Sequence, residues 1–118
     1  MTRSALATLG ALILLAGCAP ATSTAESKDR AECKEYARPF EHSGRMKDAC
    51  LISRGYTVSY STNGGGVDVV ARAQPRPAAE VVATDLKACN DQSGMGYEGR
   101  LQFTRCMTPR GYTVRSGD

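Results

Sequence analysis

Cys50-Leu51-Ile52-Ser53-Arg54-Gly55-Tyr56-Thr57-Val58 recurs 56 positions later as Cys106-Met107-Thr108-Pro109-Arg110-Gly111-Tyr112-Thr113-Val114. Arg-Gly-Tyr-Thr-Val is identical in the two stretches, and each is preceded at a distance of 17 positions by another cysteine, Cys33 and Cys89. A chain that contains one unit twice is read first as two copies of a supersecondary element, and the fold is sought inside the unit.

Before Cys50, the apolar spacing is helical. Cys33, Tyr36, Ala37 and Phe40 fall at i, i+3, i+4 and i+7, which predicts one narrow stripe on a helix from about Ser27 to Ala37, ended by Pro39. A second helix is expected from Ser43 as N-cap to Gly55 as the residue just past the end, with Met46, Ala49, Cys50 and Ser53 on one face. In the second copy Val82, Leu86 and Cys89 share a face. Gly94, Gly96 and Gly99 break the chain, and Phe103, Cys106 and Met107 resume the stripe. Pro109 should end the last helix about a turn before its counterpart, since it lacks the amide proton. After the first copy, Tyr56, Val58 and Tyr60 alternate with Thr57 and Ser59, and Asn63-Gly64-Gly65-Gly66 leads into Val67, Val69 and Ala71. That is the pattern of a minor β-hairpin, with an open glycine loop as the alternative. Tyr112-Thr113-Val114 is positioned to add a third strand, which would relate the copies by an approximate two-fold. The expected fold class is therefore mainly α: two disulfide-stapled αα-hairpin repeats, 28–60 and 78–114, with the minor hairpin between them and Gln74-Pro75-Arg76-Pro77 in a Gly/Pro-rich linker.

Both cysteines of each copy face inward on this reading. Four cysteines allow three connectivities, and only Cys33–Cys50 with Cys89–Cys106 treats the units alike. Pairing between copies and metal or redox use are the alternatives. The redox reading lacks a Cys-x-x-Cys motif, and zinc is poorly served by cysteines 17 apart with one histidine. Staples matter here because the core is thin: from Cys18 onward there are two Phe, no Trp, one Ile and three Leu.

The repeated segment resembles small bacterial envelope lipoproteins that carry Cys-Met-x-x-Arg/Lys-Gly-Tyr/Trp after an earlier cysteine. The resemblance covers residues 33–58 and 88–114, with Leu51 replacing Met in the first copy. It implies no activity and carries over no catalytic residue. The N-terminus agrees with it. Met1-Thr2-Arg3 is a positive n-region and Leu6 to Leu15 an apolar h-region too short to span a bilayer, followed by the lipobox Leu15-Ala16-Gly17-Cys18. Residues 1–17 are thus expected to be a signal peptide and Cys18 the lipidated residue, bearing a diacylglyceryl group and an N-acyl chain such as palmitate. Residues 18–27 read as a small, polar, flexible tether, and 28–118 as one domain. Ala19 after the cysteine implies, by resemblance to Gram-negative lipoproteins, sorting to the outer membrane, facing the periplasm; in a Gram-positive host the anchor would be the cell membrane.

The remaining candidates are bland. His42, the only histidine, sits in a Glu41-His42-Ser43-Gly44 connector with Glu98 at the aligned position of the second copy, and no nucleophile elbow surrounds it. Arg54 and Arg110 are placed to complement helix C-termini ahead of Gly55 and Gly111. Tyr56 and Tyr112 are expected to cover the staples with their hydroxyls towards water. Gly64-Gly65-Gly66 lacks the Lys-Ser/Thr of a phosphate loop. The chain has 15 Lys and Arg against 12 acidic residues, a balance that argues against a nucleic-acid partner. These readings converge on a non-catalytic protein with no cofactor and no metal, held to the membrane through Cys18, with a structural or interaction role towards an envelope protein. The alternative is a lipid-anchored inhibitor or immunity-type binder of a periplasmic enzyme, presenting at a tip a disulfide-rigid loop such as Gly94 to Gly99.

Overall fold

A computed structural model describes residues 21–116. The expected signal peptide and Cys18 lie outside them. The first helix, α1, runs from Ala21–Ala37. It begins ahead of the expected Ser27, so residues 21–27 of the stretch read as tether are helical. Two alanines favour that state. The described residues fall into two compact units that meet after Ala31. In the first, an exposed Arg30–Glu26 ion pair of 2.9 Å spans one helical turn. The second unit, from Glu32 onward, holds all that follows. No helix among the described residues is long and apolar enough to cross a membrane.

Beyond α1 come α2 (Ser43–Ser53), β1 (Val58–Thr62), β2 (Gly65–Ala71), α3 (Ala79–Gln92), α4 (Gly96–Met107), a 3-10 turn (Thr108–Arg110) and β3 (Tyr112–Ser116). The protein is mainly helical with a small antiparallel sheet, as the repeat predicts. Pro39 has the expected effect, since α1 stops two residues before it. Phe40 consequently lies beyond the helix, 40% exposed, with its ring 5.4 Å from that of Tyr36 and its N–H donating to the Ala37 carbonyl over 3.1 Å. Cys33 and Ala37 are the stripe's buried members. In α2 the first helical residue is Ser43, and His42 takes the N-cap place. Leu51 and Ile52 are buried beside Ala49 and Cys50, so the end of α2 is enclosed on more than one side. The helix closes on Gly55 at φ +94°, and the second copy on Gly111 at φ +100°, both in the left-handed region that favours glycine. Pro109 shortens α4 as predicted. The α-helix ends two residues earlier than in the first copy and is followed by the 3-10 turn.

The sheet has the order β1-β2-β3, antiparallel throughout. The Asn63-Gly66 region is a hairpin, with Thr62 opposite Gly65. β3 is the anticipated third strand, but the copies are not related there by a two-fold. Val58 and Val114, equivalent positions of the repeat, both pair with Val69, one from each side. Directly opposed residues project to the same face. β1 and β3 are therefore parallel and present the same side, so one strand maps onto the other by translation across β2, about 10 Å at twice the usual strand spacing.

That shared face is the floor of the core. Val58, Tyr60, Val67, Val69, Ala71 and Tyr112 are buried beneath Leu51, Ile52, Val82, Leu86, Phe103 and Met107. The Tyr60 and Phe103 rings stack at 5.8 Å. The most extensive helix packing is between α2 and α3, one from each copy. The Tyr36 hydroxyl adds a link between α1 and α3 by donating to Glu80 over 2.9 Å.

Candidate functional site

The four cysteines form Cys33–Cys50 and Cys89–Cys106, each with a Cα–Cα distance of 5.5 Å. Cys33 and Cys89 are fully buried. Each bond joins the two helices of its own copy, which settles the connectivity in favour of the symmetric pairing.

The repeated Arg-Gly-Tyr completes the staples. On either side of Gly111, the Arg110 Nη1 lies 2.9 Å from Asp85 Oδ1 on α3, and the Tyr112 hydroxyl donates to Asp85 Oδ2 over 2.8 Å. The expectation that this hydroxyl faces water is thus corrected: Tyr112 is 2% exposed. Burial, and then the hydrogen bond and charge of Asp85, raise its pKa well above the ordinary phenol value, the nearby Arg110 cation opposing them. In the first copy Arg54 reaches back to Glu32 on α1, 2.6 Å away. The Arg76 guanidinium covers Gly55, where a Cβ would come within 2.8 Å of it. The motif closes each hairpin onto its own first helix, so its chemistry is consumed by architecture.

The connector between α3 and α4 is different. Its backbone is braced from several directions. Ser93, 7% exposed, donates to the Cys89 carbonyl over 2.6 Å, and the Gly94 N–H donates to Gln102 Oε1 over 2.7 Å. Gly99, read from the sequence as a chain breaker, lies inside α4 and is buried. Its Cα approaches Gly94 so closely that a Cβ would overlap the Gly94 carbonyl oxygen. The β1–β2 turn supports the other side. Asn63 donates its N–H to Asn90 Oδ1 over 3.0 Å and its Nδ2 to the Asn90 carbonyl over 3.3 Å. A Cβ on Gly64 would come within 2.8 Å of the Arg100 nitrogen. From this brace project Met95 and Tyr97, 76% and 66% exposed, with the Arg100 guanidinium 5.8 Å from the Tyr97 ring centre. Such a cation–π contact is worth about 0.5–1 kcal/mol at an exposed site and orders the ring. Met, Tyr and Arg are residue types enriched in protein interfaces. The sequence carries a signal for this tip, two large apolar residues between glycines beside an expected cystine, but not the bracing by Asn63, Gly64 and Gln102.

The other sequence candidates are dispersed. His42 is exposed and borders a cleft with Arg45, Asp48 and Asn90. Glu98 is exposed at the tip. Burial raises the pKa of Asp48, against a smaller opposing effect from Lys47. Among the described residues, no group of three or more His, Cys, Asp or Glu is arranged to hold a metal ion. Cys18 lies outside the described residues. Comparison of the chain with protein-family models, with curated proteins and with solved structures found no match to any of them.

Proposed function

We propose that this chain is a non-catalytic, lipid-anchored envelope protein that presents a rigid tip to a protein partner. The observation that supports the reading is the braced α3–α4 connector. Met95 in the connector and Tyr97 in the first turn of α4 are exposed on a backbone whose ordering has been completed before any partner arrives, which lowers the entropic cost of binding. The anchor on Cys18 would confine the tip to the membrane surface and raise its effective concentration towards anything held there.

The same tip favours one second reading, an inhibitor or immunity-type binder of a periplasmic enzyme, because a rigid projecting loop suits insertion into a cleft. One experiment separates them. A photo-crosslinking residue is placed at Tyr97 in the full chain, expressed in bacterial cells, and its adducts are identified by mass spectrometry beside a Cys18→Ser control. A dominant envelope partner that is lost in the control supports the anchored interaction protein. A soluble enzyme retained in both supports the inhibitor. Absence of any adduct from position 97 sinks both.

A further inference from the structure

We propose that the outer edge of β1 is a docking site for one extended peptide segment of a partner protein, received as a fourth strand in the cleft between β1 and α2. β1 is paired only on its β2 side, and among the described residues no backbone hydrogen bond is made from its other edge. Natural sheets guard such edges with charges, prolines or bulges. β1 has none of these: Val58-Ser59-Tyr60-Ser61-Thr62 is uncharged and runs in unbroken register from Val58↔Val69 to Thr62↔Gly65. β3, the opposite edge, carries Arg115.

The edge does not open onto bare solvent. Ser59 and Ser61 form one wall of a cleft of about 440 Å³, and His42, Gly44, Arg45 and Asp48 form the facing wall. That volume is within the range of small-ligand sites. Its lining is polar, and Asp48, part-buried, accepts no hydrogen bond from another side chain among the described residues. An extended backbone answers both walls, pairing its N–H and C=O groups with β1 and turning donors towards Asp48. Because α2 is the facing wall, the space suits a single strand about 4.8 Å from β1 rather than a second sheet. This separates a peptide from a second copy of the chain as occupant. Neither Met95 nor Tyr97 borders it, although Asn90, which holds Asn63 beside the tip, does.

The test uses the full chain as its Cys18→Ser variant, labelled with nitrogen-15, and four capped pentapeptides, Thr-X-Thr-X-Thr with X as Val, Tyr, Asp or Lys. Binding of at least one with a dissociation constant of about 1 mM or tighter is expected. The amide shifts should centre on residues 58–62, with slowed hydrogen exchange there. Gly44→Phe, whose Cβ meets nothing within 4 Å, adds bulk to the facing wall and should weaken binding by about tenfold or more. Met95→Ser should leave it unchanged, so failure here is distinguishable from failure of the tip. Shifts centred elsewhere, no binding by any of the four, or concentration-dependent dimerisation that protects the same amides without peptide would each overturn the proposal.

Discussion

Two glycines in helices make opposite demands, and a pair of alanine substitutions measures the difference. At Gly44, near the start of α2, a Cβ meets open space. Gly44→Ala should therefore stabilise by up to about 1 kcal/mol through helix propensity alone. At Gly99, in the first turn of α4, the same gain is opposed by overlap with the Gly94 carbonyl oxygen, a backbone atom that cannot rotate away. Overpacking of this kind costs about 1–3 kcal/mol. Displacing Gly94 also endangers its N–H bond to Gln102, worth about 1 kcal/mol more. Gly99→Ala should be net destabilising by about 1–3 kcal/mol. For a domain of this size each kcal/mol moves Tm by about 4–8 °C, so the two variants should separate to opposite sides of the parent. Urea and thermal unfolding of the Cys18→Ser chain supply the assay, with amide exchange at residues 93–97 reporting the tip. If Gly99→Ala proves as stabilising as Gly44→Ala, with unchanged exchange at the tip, the close approach is absent and the bracing argument fails with it.

Replacing either cystine by two alanines should cost about 3 kcal/mol, and by similar amounts, since both close loops of 17 positions; denaturant midpoints that differed several-fold would show that loop closure is not the main contribution. Tyr112→Phe should cost about 1.5–3 kcal/mol near neutral pH, because it removes a buried hydroxyl's bond to a carboxylate. The raised Tyr112 pKa means that its stabilisation is whole below the unfolded phenol value of about 10 and declines as pH rises towards the folded one, so the gap between wild type and Tyr112→Phe should narrow in alkali. A gap that stayed constant to the alkaline unfolding limit would refute this. Asp48 behaves in the same sense at the acid end: its stabilising protonated form is lost as pH rises through its raised pKa. Asp48→Asn should therefore be the more stable protein at pH 7 and lose that advantage on acidification below about 4, which unfolding curves at the two pH values would check.

Much of the architecture was legible because the repeat reports on itself. The spacing from Cys33 to Cys50 and from Cys89 to Cys106 gave the staples, and Tyr112 to Val114 gave the third strand. The symmetry was not legible. It depends on Val69 in β2, which has no counterpart in the repeat, and register across a sheet leaves no trace in local spacing. The buried Tyr112 hydroxyl is not legible for a similar reason: its partner Asp85 lies 27 positions away. Gly99 was read as a breaker because glycine favours turns as well as close backbone contacts, and only the neighbouring Gly94 distinguishes these. Phe40 fitted the stripe by spacing, yet Pro39 ended the helix before that spacing could apply. The sequence marks the tip only as the Gly94 to Gly99 stretch; that Tyr97 sits in the first turn of α4, and that Asn63 and Gly64 of another element brace it, is not written in local spacing.

Among the described residues, two helical connectors share one hairpin turn, which can buttress only one of them. That turn lies against the second connector, through Asn90 and Arg100, and so the first, around His42, is left to border a cleft. A two-fold would have required the copies to share such support equally. Translation past an unrepeated strand does not, and it lets duplicated halves that share their cystine and their Arg-Gly-Tyr-Thr-Val carry different surfaces. The five-residue identity can persist in both copies while selection acts on the connectors separately, one as a projection and the other as a recess.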